Sequence, residues 1–415
     1  MIAPKTSPNP LPAGNPQATL RMMLILSALM SFASVSTDMY LPALPTISRV
    51  MHANPASLQL TFSAFLIGFS VGQLVWGPIG DRHGRRLPIA VGLVLFIIGS
   101  VGCAMSADVW QMMGWRVVQA LGACVGPVLA RAMVRDLYAR DDAARVLSTL
   151  ILIMGVAPLL GPLLGSQILA WWSWQAIFWS LAIVGFLTLI AIRALPETLP
   201  IDRRTTTPMR HVIRDYAALV SDPRLIGYAF SGGFFYAGAY TFVVATPFAY
   251  IDYYHVSPPI YGLLFGVNIV GMMAANFLNA RLLKRLGSER LFHLGTWVLA
   301  VSGIVLALDA RYGWGGLTGL VLPIFVYMSM NGLIVANSVA GALAAFPHKA
   351  GSASSVVGAM HYGSGILSAA MVGWFSDGTP WTMAWIMAAA GIGSLLTSLL
   401  SRHLAARRAT MACPT

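Results

Sequence analysis

The chain has 415 residues, 57% of them hydrophobic and 10% charged, with a mean hydropathy of +0.72 and a formal net charge of +12. A water-facing globular surface needs roughly 25% charged residues, so a soluble domain is excluded, and the long apolar runs exclude a membrane β-barrel built from short alternating strands. The basic residues cluster in short loops between apolar runs, which is an orientation signal of a membrane protein and not a nucleic-acid footprint.

Residues 1–20 contain Pro4, Pro8, Pro10, Pro12 and Pro16 and are expected to form a disordered tail. The first apolar run is too long for a removable signal peptide. Twelve runs long enough to cross a bilayer follow, near 22–47, 58–80, 87–105, 109–134, 143–169, 176–194, 225–250, 259–282, 291–308, 317–340, 352–375 and 382–400. The one long hydrophilic stretch between them, 196–222, carries Arg203, Arg204, Arg210 and Arg214 and reads as a solvated basic linker. The expected organisation is therefore an all-α integral membrane protein of twelve transmembrane helices, with six-helix halves at 21–195 and 223–402, a linker at 196–222 and a short tail at 403–415. With both termini cytoplasmic, the outer loops keep only Arg49 and Arg311. Trp110, Trp171, Trp172, Trp174, Trp314, Trp374, Trp381 and Trp385 then fall near the outer helix ends, where an aromatic belt belongs. Cys103, Cys124 and Cys413 have no spacing for a disulfide framework or metal site, and the first two read as packing residues.

Taken in chain order, the first unusual residue is Asp38, the single charge in the run from Met22 to Ile47, within Ser36-Thr37-Asp38-Met39-Tyr40-Leu41-Pro42. An ionisable residue inside a bilayer-length run is costly and marks function. The second unusual stretch is the loop Gly77-Pro-Ile-Gly-Asp81-Arg82-His83-Gly84-Arg85-Arg86. Its glycines suit a tight turn, Asp81 can cap a helix end and pair with Arg82, Arg85 or Arg86, and such a cluster can latch one conformation. The loop 284–290 of the second half echoes it, with Lys284 in place of Asp81. The third is Arg116, a lone cation in an apolar run. Counted from the basic helix ends at about 1.5 Å per residue, Asp38 and Arg116 both lie roughly 22–26 Å deep. Opposite charges at one depth are expected to pair, directly or through water.

The 77–86 loop resembles the signature loop of the major facilitator superfamily. Arg116-Val-Val-Gln119-Ala-Leu-Gly122 resembles that superfamily's second motif, and Gly155-Val-Ala-Pro158-Leu-Leu-Gly161-Pro162-Leu-Leu-Gly165 resembles the motif of its drug–proton antiporters. Together with Thr37-Asp38-Met39-Tyr40-Leu41-Pro42, the chain resembles the Bcr/CflA branch of drug exporters. The resemblance implies the major facilitator fold in a bacterial inner membrane, driven by a proton gradient with no cofactor. It also implies that Asp38 couples proton entry to drug exit, with Arg116, its partner by depth, completing the proton-coupling site, Asp136 as a further member of the charge latch, and export of chloramphenicol-like or bicyclomycin-like compounds. The expected partners are a small hydrophobic drug, protons and the lipid bilayer, with no nucleic acid, and the expected state is a monomer. On the fifth helix, Gly161 and Gly165 let another helix approach, and Pro158 and Pro162 can bend or pivot the backbone.

Candidate cavity residues are Met39, Tyr40 and Gln119 in the first half and Tyr236, Tyr240, Asn268, Asn331 and His361 in the second, and the 21 methionines suit an adaptable pocket. The rival readings have weaker support. An uptake symporter for a sugar or phosphate needs more polar groups in its cavity. A hydrolase built on His361 and Ser364 lacks an orienting acid. A channel needs charge rings or a filter, and ATP drive needs a phosphate-binding loop that this chain does not contain.

Overall fold

The computed structural model describes residues 16–138, 140–205, 209–344, 346 and 350–411, and every regular element among them is helical. α1 spans Pro16–Asp38. Proline is tolerated at a first helical position, because that N–H has no intrahelical partner, so the helix begins inside the expected tail; residues 1–15 lie outside the described set. After Asp38 the chain leaves the helix at Met39 and Tyr40, makes one 3₁₀ turn at Leu41–Ala43, and resumes as α2, Leu44–Val50. Asn54 caps α3 (Pro55–His83) by accepting from the Ala56 N–H at 2.9 Å. α4 follows at Arg86–Ala104. α5 (Val109–Leu137) starts with a reciprocal cap: Asp108 accepts from the Gln111 N–H at 2.9 Å while the Gln111 side chain accepts from the Ala107 N–H at 2.8 Å. α6 covers Arg140–Trp171 and α7 Trp174–Ala191.

The expected linker is not a plain loop. It contains α8, Met209–Val220, whose Leu219 is buried in a small cluster with Leu225, Ala229, Val356 and Val357. Apolar residues spaced for one helix face make this segment pack rather than dangle. α9 (Pro223–Pro247) runs into a π-helical turn at Phe248–Tyr253. α10 (Pro258–Leu286) and α11 (Ser288–Tyr312) follow. One span is split at Met330 into α12 (Gly316–Ser329) and α13 (Asn331–Ala344). The last two helices are α14 (Ala350–Phe375) and α15 (Trp381–Met411).

Eleven stretches of the described residues are long and apolar enough to cross a membrane. The 32-residue α6 covers the remaining expected run. Large apolar side chains such as Phe186, Leu187, Leu263 and Phe277 are exposed on the bundle surface. In water they would form an oversized apolar patch; in lipid they are matched to their solvent. Trp110, Trp171, Trp172, Trp314 and Trp374 are exposed as well, whereas Trp174 turns inward, edge-on to Phe178. Within the bundle α5 packs against α3 and α4, α1 against α6 and α5, and α9 against α14 and α15. Two seams join helices before 196–222 to helices after it: α3 with α14, and α6 with α10. Cys103 and Cys124 are buried free thiols, and Cys413 lies outside the described residues.

Candidate functional site

The end of α1 is shaped by its own hydroxyls and by the glycines of α6. The Ser36 hydroxyl donates back to the Phe32 carbonyl at 2.6 Å and that of Thr37 to the Ala33 carbonyl at 3.0 Å. Neither side chain therefore leaves an unpaired donor in apolar surroundings. Asp38, the last residue of α1, is 7% exposed, and its Oδ1 lies 3.1 Å from the Thr37 hydroxyl, whose single hydrogen it shares with the α1 backbone carbonyls. A Cβ added at Gly161 would stand 2.7 Å from the Asp38 Cβ, and one added at Gly165 would collide with the Met39 carbonyl oxygen. The glycine motif of α6 is thus the surface on which the Asp38–Met39 turn rests. Pro158 and Pro162 lie inside a helix that stays continuous, and the surroundings of Gly155 are outside the described residues.

Arg116 does not pair with Asp38, contrary to the expectation from depth. Its Nη1 donates to the Ser36 carbonyl at 3.1 Å and to the Gln119 Oε1 at 2.7 Å. Gln119 in turn donates to the Ser100 hydroxyl at 2.9 Å. The guanidinium carbon lies 4.5 Å from the Tyr40 ring centre and 4.4 Å from that of Phe65. Arg116 is fully buried, and its Nε and Nη2 have no partner among the described residues. The reason is rotational: Ser36 and Asp38 are two positions apart, about 200° around a helix. A residue that meets the Ser36 backbone leaves Asp38 on the other side, toward α6 and within electrostatic reach of Tyr240 and Tyr261. Equal depth therefore did not mean contact. Tyr40, expected in the cavity, is wholly buried, its hydroxyl hydrogen-bonded to that of Thr61 at 2.5 Å. Together with Gln119, also fully buried, it belongs to the Arg116 cradle.

Aromatic side chains from both sides of the chain meet nearby. Tyr236 stacks on His361 with ring centres 4.7 Å apart, and Tyr240 lies 5.7 Å from Phe62. Tyr362 completes the group at 6.0 Å from Tyr236, 6.1 Å from Tyr240 and 4.4 Å from Phe69. These rings come from α3, α9 and α14, so they bridge one of the two seams. The Nε2 of buried His361 has no partner among the described residues. Asn268 donates to the Leu264 carbonyl at 2.9 Å and its Oδ1 is unpaired. Asn331 opens α13 and stands apart from the ring contacts. A separate cleft of about 300 Å³ is lined by Asn54, Gln59, Asp252 and Thr379 among others and includes none of the expected cavity residues.

The charged loop closes around Arg85. Its Nη1 meets Asp81 at 2.6 Å and its Nε meets Asp136 at 2.9 Å. Asp81 is not a cap; it lies in the last turn of α3, where an acid opposes the helix dipole unless a cation neutralises it. Arg82 takes no part in these ion pairs, and Arg86 donates instead to the Arg193 carbonyl at 3.1 Å. Glu197 accepts from the backbone N–H of Arg85 at 2.8 Å, Leu199 at 3.0 Å and Arg86 at 3.1 Å. Burial pushes its carboxyl up, but those three donors and the Arg204 guanidinium outweigh burial and hold it below its usual range. Thr198 donates to Asp136 at 3.2 Å, and the Thr205 N–H to the Asp81 carbonyl at 3.0 Å. Gly84 adopts φ +89°, and a Cβ there would press on Glu197 and Arg204, so only glycine suits this turn. Gly77 meets no such demand, because a Cβ there would touch nothing within 4 Å.

The profile of the Major Facilitator Superfamily matches residues 24–247. The chain is 33% identical to the uncharacterized MFS-type transporter YdgK of Bacillus subtilis, over 92% of this chain and 96% of that one. The chain belongs to the major facilitator superfamily. Within the superfamily it falls in the Bcr/CflA-like branch, being 30% identical to a bicyclomycin resistance protein homolog of Haemophilus influenzae over 94% of this chain and 99% of that one. The superfamily fold is seen directly in the Escherichia coli xylose transporter XylE in its partially occluded inward-open conformation, with a TM-score of 0.72 at 15% identity over 92% of this chain and 97% of that one.

Several residues that the structure brings to the charged loop and the ring cluster were not singled out by sequence reasoning. Glu197 stood in a stretch read as a basic linker, and its one signal was an acid directly after Pro196 at a helix exit. Phe62 and Phe69 lie seven residues apart, one helix face. Tyr362 adjoins the polar His361, and that adjacency was its only mark.

Proposed function

We propose that this chain is a proton-coupled antiporter that exports small hydrophobic drug-like compounds across the bacterial inner membrane, with both termini cytoplasmic, working as a monomer without cofactor or covalent chemistry. The observation that carries this reading is Asp38, a buried acid with no basic partner among the described residues. Such a carboxyl changes charge when it takes a proton, and in a low-dielectric setting that change is worth several kcal/mol to its surroundings. Asp38 lies where α1 unwinds and rests on the glycine face of α6, which itself packs along α10. Protonation therefore acts on a turn wedged at a seam between residues 21–195 and 223–402, the two halves expected to rock. Proton and drug compete for one conformational state: the drug leaves as the acid is neutralised. Arg116 has a different part from the one its depth suggested. It pins the Ser36 backbone and so fixes where α1 ends. The ring cluster of Tyr236, Tyr240, His361 and Tyr362 supports an aromatic, apolar substrate, since flat rings bury such a molecule with few fixed hydrogen bonds. The relative named for bicyclomycin resistance supports the same substrate class.

The test is Asp38→Asn in liposomes or in a pump-deficient bacterium. Export driven by an imposed pH gradient is expected to fall to the passive rate while the protein still melts as wild type does. Wild-type export coupled to proton flux in Asp38→Asn would remove the assignment.

A further inference from the structure

On the outer flank of the charged loop lies a groove of about 900 Å³ between α4 and α7. Its two ends differ in kind. One carries Arg86, Arg193, Arg204 and His83, with Glu197 as the single acid; the other is apolar, formed by Leu87, Phe186 and Ile190 among others. Leu87, Phe186 and Ile190 are exposed large hydrophobics. Both α4 and α7 are apolar enough to span the membrane, and the groove sits at their adjoining ends, Arg86 opening one span and Arg193 closing the other. The Glu197 carboxylate is already engaged by three backbone N–H groups. Three guanidiniums against one acid leave the polar end with a net charge of two positive, next to an apolar end that water solvates poorly.

We propose that this groove binds an anionic glycerophospholipid. Its phosphate lies among Arg86, Arg193 and Arg204, and an acyl chain runs along Leu87, Phe186 and Ile190. A soluble anion would use the polar end and leave the apolar one bare; a zwitterionic lipid brings its own cation with its phosphate and leaves the net positive charge unbalanced. Only an amphiphile with a negative headgroup satisfies both, and basic pockets between spanning helices at a membrane face are suited to such headgroups. Guanidinium suits a phosphate better than ammonium does, through its planar fork of donors.

The full-length protein, delipidated in detergent, is titrated with phosphatidylglycerol or phosphatidylcholine, and bound lipid is read by native mass spectrometry. Phosphatidylglycerol is expected to bind at least about tenfold tighter than phosphatidylcholine, and Arg193→Gln with Arg204→Gln to weaken it by roughly fivefold per arginine removed. Phosphatidylcholine, whose own ammonium balances its phosphate, is expected to lose less than phosphatidylglycerol in that variant, and the charge-preserving Arg193→Lys with Arg204→Lys keeps most of the preference. Arg193→Gln alone serves if the double variant fails to fold, because the Arg193 side chain makes no hydrogen bond or ion pair among the described residues. Equal binding of the two lipids, or an unchanged preference in the Gln variants, overturns the proposal. Displacement of phosphatidylglycerol by millimolar inorganic phosphate also overturns it, by showing a site for soluble anions.

Discussion

At Arg116 a full positive charge is buried with no acid in contact among the described residues. Taking such an ion out of water costs several kcal/mol. Two charge-assisted hydrogen bonds offset this by about 1.5–3 kcal/mol each, and two aromatic faces by up to about 2 kcal/mol each when desolvated. The terms are of similar size, so the site tolerates the charge only in this one geometry. Lysine keeps the charge but lacks the flat fork that donates and stacks at once. Arg116→Lys is therefore expected to lower the melting temperature more than Arg116→Met, whose cost is about 1–3 kcal/mol for leaving Ser36 and Gln119 short of a donor. Thermal melts of the two purified variants decide it; a Lys variant as stable as wild type would mean that charge alone matters here. Asp38 is the opposite case. Among the described residues it has one hydroxyl donor and no cation in contact.

At the scale of elements, the α6 glycines and the α1 turn form one unit. The antiporter-like motif was legible in sequence as a packing face, and its partner was not. A methyl group at Gly165 meets the Met39 backbone oxygen, which cannot swing away as a side-chain tip can. Gly165→Ala is expected to cost about 1–3 kcal/mol by overpacking and to slow transport, because the Asp38 turn shifts with Met39. Gly77→Ala is the matched control. It belongs to the signature loop, but a Cβ there would touch nothing within 4 Å, and Ala gains up to about 1 kcal/mol of helix propensity over Gly. Its melting temperature is expected to equal or exceed that of wild type. Unequal melting shifts of the two variants, read by the same assay, separate packing from motif membership.

For the whole molecule, the 192–205 segment and α8 connect the α3–α4 turn to α9 and α14, against which α8 packs through Leu219. Glu197 clasps the Arg85–Arg86 turn, Thr205 binds the Asp81 carbonyl, and Tyr216 reaches the Leu74 carbonyl at 3.4 Å. The Glu197 carboxyl is held below its ordinary value of 4.5. A group depressed in the folded state contributes stability above its unfolded pKa and loses it as pH falls through the folded one. The clasp is thus complete at neutral pH and loosens below about pH 4.5. Hydrogen exchange at the Arg85, Arg86 and Leu199 amides, corrected for intrinsic pH dependence, is expected to rise there. Glu197→Gln is expected to exchange faster at neutral pH and to show no step in that window. A step of the same size in the variant would assign it to another acid.

The spans, the charged loop, the lone Asp38 and the lone Arg116 were legible in the chain itself. Crossing a bilayer depends on the length of a local apolar run, and an isolated charge in such a run stands out against its own neighbours. Where each side chain pointed was not legible. Two residues of difference rotate a helix by about 200°, so depth counting brought Arg116 to the right level and the wrong side. The acid that closes the loop, Glu197, is more than one hundred positions from Arg85, and the rings beside Tyr236 come from helices far apart in sequence. Contacts of that kind are set by how helices pack against one another, and no local run of residues encodes them.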